Sequence, residues 1–438
     1  MSSKKLYSRL VLALALVACV PGSVLAQEDH APPAAALPAA PQSAIPDSGY
    51  VIHAGHLLAQ PGQPTTTNKS IIVQNGKIVA IKDGFVEGLN VVDLSHAYVL
   101  PGLINLHTHM ALPAYDRAFT WRLERPERVM LATLPRLKSM LEAGFTTVRD
   151  LGDDSSIMYE LADATRDGVV PGPRILASEQ FFGIGNAYIT NYASGFRPEL
   201  APFYNNRGNC TTREECRNAV RDEVNRGAQV IKIRLSILPL KDTRIESVET
   251  VEELKWIIDM AHQLKRKVAV HTVVGPSFTP VSNAILAGAD SIEHGPLSDE
   301  QIKLMKARGT AYIPTLAVAK ESETTFPGLY ERFHASAVLA AKSGIKFGFG
   351  TDYPLLSIDQ SYREMLEMQD VGLSTVEVLK TATVNAAEIL DLSDQIGSIA
   401  PGLSADIIAV DADPLADLRV LGTVKFVMKE GKVVKTGK

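Results

Sequence analysis

An eightfold alternation in the middle of this 438-residue chain constrains its fold more than any other feature. Short apolar runs read as strands over 102–109, 146–151, 174–179, 229–235, 267–273, 291–294, 311–316 and 346–352. Between and after them, the periodicity predicts helices over 127–142, 157–166, 212–225, 251–266, 276–287, 299–307, 332–342 and 375–390. Four of these run into glycine, at Gly144, Gly227, Gly288 and Gly344, as helix C-termini do. Thr212-x-x-Glu215 has the form of a capping box. Strands alternating with helices build parallel βα units, and eight units close a barrel. The expected architecture is α/β, a (β/α)8 TIM-type barrel over 101–395.

The flanking segments have a different period. Two apolar runs, 70–74 and 77–81, meet at Asn75-Gly76, a strong hairpin signal. Near the other end, 406–410 and 424–428 read as strands, and 429–431 is a turn before Val433 and Val434. Both chain ends are therefore expected to form one small composite β-sandwich domain, over 49–100 and 396–438.

The first residues belong to neither part. Lys4, Lys5 and Arg9 precede an apolar run over 10–20, and small residues follow at 24–26, the layout of a secretory signal over 1–26. Leu16-Val17-Ala18-Cys19 also matches a lipobox, which would leave Cys19 lipidated. Soluble export to the periplasm or medium, and anchoring as an outer-membrane lipoprotein, both stay open. Residues 27–48, rich in alanine and proline, read as a disordered linker. The signal carries three positive charges and no negative ones, so its removal takes the formal net charge from −5 to −8. That balance gives no electrostatic case for nucleic acid, and no later apolar run approaches the ~20 residues that span a bilayer. After soluble cleavage only Cys210 and Cys216 remain, and in an oxidising compartment a local disulfide is expected.

One connection is long. Residues 180–210 separate the third strand from its helix, against the usual 2–6. They hold Phe181, Phe182, Tyr188, Tyr192, Phe196, Phe203 and Tyr204, either a satellite cluster or a lid over the barrel mouth.

The chemistry gathers at strand ends. His107 and His109 close the first strand on one face, because side chains alternate along a strand. Lys232 sits inside the apolar fourth strand, where an ammonium is costly unless paired or neutralised. His271 ends the fifth strand, His294 the sixth and Asp352 the eighth. Barrel catalytic groups come from the C-terminal ends of different strands, and these six are so placed. His53, His56, His96, His262 and His334 are read as surface or structural.

These residues resemble the binuclear subtype of the metal-dependent amidohydrolase superfamily. Its pattern is His-x-His on strand 1, a carboxylated lysine on strand 4, histidines on strands 5 and 6, and an aspartate on strand 8. All five elements match in order, and the resemblance covers roughly residues 50–438. Pro101-Gly-Leu-Ile-Asn-Leu-His-Thr-His109, Val148-Arg-Asp-Leu-Gly152 and Gly350-Thr-Asp352 look most like prolidase-like and carboxypeptidase-like dipeptidases and ochratoxin-hydrolysing amidases. The branch often carries Gly-Gly-His-Gly after strand 3; here Phe182-Gly-Ile-Gly-Asn-Ala-Tyr188 stands instead.

The resemblance implies two divalent ions. His107, His109 and Asp352 would hold one, His271 and His294 the other, with carbon dioxide bound to Lys232 as a bridging carbamate. Zinc is the ion expected, and manganese or cobalt could substitute. A bridging hydroxide, with Asp352 as general base, would cleave the amide bond of an N-acyl amino acid or dipeptide ending in a free carboxylate. Ochratoxin-like amides fit that class. The competing readings are a cyclic amide hydrolase similar to imidazolonepropionase, a lactonase or phosphotriesterase, and a non-catalytic structural barrel. Expected partners are a small-molecule substrate and further copies of the chain in a homo-oligomer.

Overall fold

The structure is a computed structural model. It describes residues 49–88, 90–112, 123–152, 157–179, 181–184, 199, 208–235, 249–272 and 279–437, all within one compact unit over 45–438. The expected signal, the linker with Cys19 before it, and Tyr188, Tyr192, Phe196, Phe203 and Tyr204 lie outside the described residues.

The chain opens with β1 (Tyr50–Leu57), β2 (Thr66–Gln74), β3 (Lys77–Asp83) and β4 (Val91–Pro101). Asn75 and Gly76 turn β2 into β3 with φ of 50° and 76°, the left-handed geometry that such a two-residue turn requires. After the barrel come β14 (Ile407–Val410), β15 (Phe426–Lys429) and β16 (Lys432–Thr436). Both ends join in one seven-stranded sheet of order β16-β15-β14-β4-β1-β2-β3. The sheet bends back on itself through the segment before β14. There Ile78 N donates to Leu403 O at 2.9 Å and Gly402 N to Ile78 O at 2.8 Å. Ile52, Ile71 and Val73 from one end thereby share an apolar cluster with Ile407, Phe426 and Met428 from the other.

Between them the α/β part runs β5 (Leu103–Thr108), α1 (Pro126–Glu142), β6 (Phe145–Asp150), α2 (Met158–Arg166), β7 (Arg174–Ala177), β8 (Phe181–Ile184) and β9 (Asn209–Cys210). It continues through α3 (Arg213–Asn225), β10 (Val230–Arg234), α4 (Val251–Gln263), β11 (Lys267–His271), α5 (Thr279–Ala287), β12 (Ser291–Glu293), α6 (Asp299–Arg308) and β13 (Ala311–Ile313). It ends with α7 (Leu316–Glu321), α8 (Leu329–Ser343), α9 (Tyr362–Asp370), α10 (Thr375–Thr381) and α11 (Val384–Ile389). Every strand pair here is parallel, in ladders β5-β6-β7 and β13-β12-β11-β10-β8-β9. Gln229 joins the two, its N–H donating to Ala177 O at 3.1 Å while its side-chain oxygen accepts from Ala177 N at 3.0 Å. The fold is a (β/α)8-type barrel with a small β-domain.

The eighth strand differs from expectation. Residues 346–352 form no regular ladder, only a single bridge at Phe347, with another just beyond at Tyr353. Gly348 N donates to Tyr312 O at 2.9 Å and Asp352 N to His107 O at 2.9 Å, so the segment lies between β13 and β5. Gly350 lets this segment pack closely, since a Cβ there would sit 2.7 Å from His107 Cβ and 2.5 Å from Ile313 Cγ2. The predicted helix over 375–390 breaks in two, because Thr383 adopts a non-helical φ of −137° and ψ of −101°. Helices α7 and α9 were not expected.

Ile231 and Ile233 of β10 face the helices, in one core with Leu254 and Ile257 of α4. Val230 turns the other way, to Leu151 and Ala269. Alternation therefore sends Lys232 inward with Val230. The Thr212–Glu215 capping box is present, and Cys210 and Cys216 are disulfide-bonded. Among the described residues no helix is long and apolar enough to cross a membrane.

Candidate metal centre

The C-terminal ends of the barrel strands bring the six residues together. His107 Nε2 lies 3.4 Å from Asp352 Oδ1, and His109 Nε2 lies 3.3 Å from the same oxygen. Ligand atoms of these three buried residues fall within 4.8 Å of one another. The imidazoles extend as a row, with ring centroids 5.2 Å apart for His109 and His107, 4.5 Å for His107 and His294, and 4.6 Å for His294 and His271. By contrast, His262 pairs with Asp290, His334 with Asp370 and His53 with Val86 O. His56 stacks on Tyr98, and His96 is exposed.

His107, His109 and His294 are each held from behind. His107 Nδ1 meets Glu293 Oε2 at 2.7 Å, His109 Nδ1 meets Gly152 O at 2.5 Å, and His294 Nδ1 meets Thr315 Oγ1 at 2.6 Å. Asn105 clamps the first strand to the irregular eighth. Its Oδ1 accepts from His107 N and Thr351 N, each at 3.2 Å, and its Nδ2 donates to Thr351 Oγ1 at 2.7 Å. His294, Thr315 and Asp352 have φ of 70°, 49° and 52°. A left-handed non-glycine residue costs of order 1–3 kcal/mol, and such residues gather where surrounding structure fixes a functional geometry.

Burial governs the electrostatics. It holds His107 and His271 well below the usual histidine range and His294 at about 3, so all three are neutral bases at pH 7. Burial works against ionised Asp352, but the His109 hydrogen bond and the nearby His294 outweigh it and bring the carboxyl down to about 2. Lys232 is 1% exposed. Burial lowers its ammonium to about 7, against the opposing pull of Glu293. Among the described residues its Nζ finds no hydrogen-bond partner, nor does His107 Nε2. Neutral imidazole nitrogens, an ionised carboxylate and an orphaned amine form a donor set suited to divalent transition metals.

Several residues of this neighbourhood were not singled out from the sequence. Arg149 and Glu293 are buried charges in apolar strands, the same signal that drew attention to Lys232. Asn105 and Thr315 carry no such signal. Arg234, two residues beyond Lys232 and half-buried, brings a guanidinium near enough to depress His271.

Such donors at the C-terminal ends of parallel strands define a class, the metal-dependent barrel enzymes. Residues 98–434 match the Amidohydrolase family, and the chain belongs to that family. It is a hydrolase acting on carbon–nitrogen bonds, in a family that is generally metal-dependent. Ochratoxinase from Aspergillus niger is 28% identical over 429 residues, covering 88% of this chain and 86% of that protein. The crystal structure of a Xaa-Pro dipeptidase with methionine bound in its active site superimposes with a TM-score of 0.76 at 28% identity, covering 88% of this chain and 99% of that one. A prolidase complexed with N-methylphosphonate-L-proline gives a TM-score of 0.76 at 28% identity, covering 89% and 100%.

Proposed function

We propose that the enzyme hydrolyses N-acyl amino acids and dipeptides ending in a free carboxylate, ochratoxin-like amides included, at a centre holding two divalent ions, zinc foremost. His107, His109 and Asp352 would hold one ion, His271 and His294 the other, and carbamylated Lys232 would lie between them. The observation that carries this reading is Lys232. A fully buried amine beside a row of imidazoles, with no hydrogen-bond partner among the described residues and an ammonium weakened to about 7, is poorly explained as a structural group. The neutral amine is the form that takes up carbon dioxide, losing one proton to become a carbamate with two oxygen donors.

Bound ions would supply Lewis-acid polarisation of the scissile carbonyl and acidify the attacking water. Asp352, held ionised close to His107 and His109, takes the proton from that water and delivers it to the leaving amine. Arg234 offers a guanidinium to the substrate carboxylate, a pairing that is strong and directional when bidentate. The names of the relatives, an ochratoxinase and two dipeptidases, support an amide whose leaving group is an amino acid.

The test joins metal analysis to a substrate comparison. Two ions per chain are expected, with kcat/KM for N-acyl-phenylalanine above that for N-acyl-lysine and far above that for a cyclic imide. Preference for the imide would overturn the substrate class, and preference for lysine only the expected side chain. Export is part of the proposal. N-terminal analysis of fractionated cells separates cleavage near Ala26 from retention at a lipidated Cys19.

A further inference from the structure

Arg149 and Glu293 are 1% and 0% exposed, and neither is among the proposed ligands. Barrel interiors are filled mostly by branched aliphatic side chains, and two charges there are costly to desolvate. Their hydrogen bonds show what the pair is arranged around. Arg149 Nε donates to Leu106 O at 2.6 Å, one terminal nitrogen to Ser291 Oγ at 3.0 Å, and the other to Glu293 Oε1 at 2.7 Å. Ser291 Oγ also donates to Glu293 Oε1 at 2.6 Å. One carboxylate oxygen is thus fixed twice, and the other, Oε2, is left to His107 Nδ1 at 2.7 Å.

We infer that Arg149 and Glu293 are positioning residues that hold His107 in its Nδ1–H tautomer and aim its Nε2 lone pair at the centre. Glu293 Oε1 already accepts from Arg149 and Ser291, so the carboxylate meets the ring through Oε2 as an acceptor too, and the shared proton resides on Nδ1. Arg149 holds Glu293 turned toward His107, and its bond to Leu106 O ties the guanidinium to the residue preceding His107. His109 is held by different means. Its partner is the neutral Gly152 carbonyl, and Asp150 fixes that loop by accepting from Met110 N at 2.6 Å and Gly152 N at 3.4 Å. One short segment, 149–152, thus sets both imidazoles while supplying no ligand. Of the two rings, His107 has a carboxylate behind it and His109 a carbonyl.

The consequence for metal affinity rests on the proposed centre; the tautomer does not. Nitrogen-15 spectra of histidine-labelled full-length protein, as isolated and after chelation, read the tautomer directly, with His107 assigned by its loss in His107→Asn. A protonated Nδ1 and an unprotonated Nε2 are expected in the chelated wild type, and a dominant Nε2–H form overturns the inference without any variant. Glu293→Gln offers one oxygen where two acceptors are needed, and Arg149→Lys loses the fork. Both should mix the tautomers and weaken zinc binding about 10–100-fold in competition with a chromophoric chelator, with helical content unchanged by circular dichroism. Wild-type tautomer and affinity in both folded variants would overturn the inference. Should neither variant fold, the wild-type spectrum decides alone. Zinc that fails to bind wild type at all, with the tautomer as expected, defeats the proposed centre and leaves the tautomer assignment standing.

Discussion

Two arginine–carboxylate clusters, one buried and one half-buried, serve opposite ends of the barrel. Arg149 with Glu293 lies under the metal centre, and every one of their bonds stays within the barrel interior. Arg174, at the start of β7, reaches the other way, to Asp406 at 2.8 Å and Glu430 at 2.7 Å in the β-domain. It also donates to Thr147 Oγ1 at 2.9 Å. Burial opposes the Arg174 cation, yet its two carboxylates more than compensate and raise its pKa. The chemistry is the same and the consequences differ. A charge pair next to a ligand imidazole fixes a tautomer, whereas one at the seam between barrel and sheet fixes architecture. This follows the division of the barrel fold, with function at the C-terminal ends of its strands and stability at the other.

The largest expected effect tests the functional end. Lys232→Ala should lower metal occupancy and abolish amide hydrolysis, with partial rescue by a short carboxylic acid that replaces the carbamate. Two metals per chain and normal rates in this variant would break the comparison at its root. Next, Asp352→Asn should keep most of the metal through the remaining ligands and lose at least ~10²-fold in kcat, the scale of a missing general base. Turnover near the wild-type rate at full metal content would remove Asp352 from its proposed role.

The seam predicts the reverse pattern. Arg174→Met leaves Asp406 buried with one cation fewer, at a cost of about 2–3 kcal/mol given the hydrogen bonds it keeps to Ser404 Oγ and Glu430 N. The urea midpoint should fall while kcat/KM at low temperature stays within about twofold. A large loss of activity at unchanged stability would show that the two ends are coupled.

The last expected effect concerns pH. His294 has a folded-state pKa of about 3, and His107 and His271 are shifted the same way, so between that value and 6.5 the unfolded chain binds more protons than the folded one. Stability of the chelated protein should therefore fall as pH drops below 6.5, by on the order of 1 kcal/mol per pH unit for His294 alone. Thermal unfolding at pH 7 and pH 5 measures this. A melting temperature that does not fall would mean that the imidazoles are not buried neutral in the metal-free chain.

Much of the molecule is legible in the sequence because its signals are local. Alternation of period 2 with period 3.6 marks the βα units, Asn75-Gly76 the hairpin, and Thr212 with Glu215 the helix start. The six residues of the centre stand out because polar groups ending apolar strands need a reason. Residues separated by hundreds of positions decide the rest. Which side of His107 faces Glu293 and which faces Asp352 depends on three strands converging, and Gly350 leaves the space in which His107 approaches. Arg149 and Arg174 look alike in sequence, each a cation in a short apolar run. Only the barrel's direction tells them apart, because side-chain alternation sets which face a residue takes, while its neighbours on that face come from chain closure.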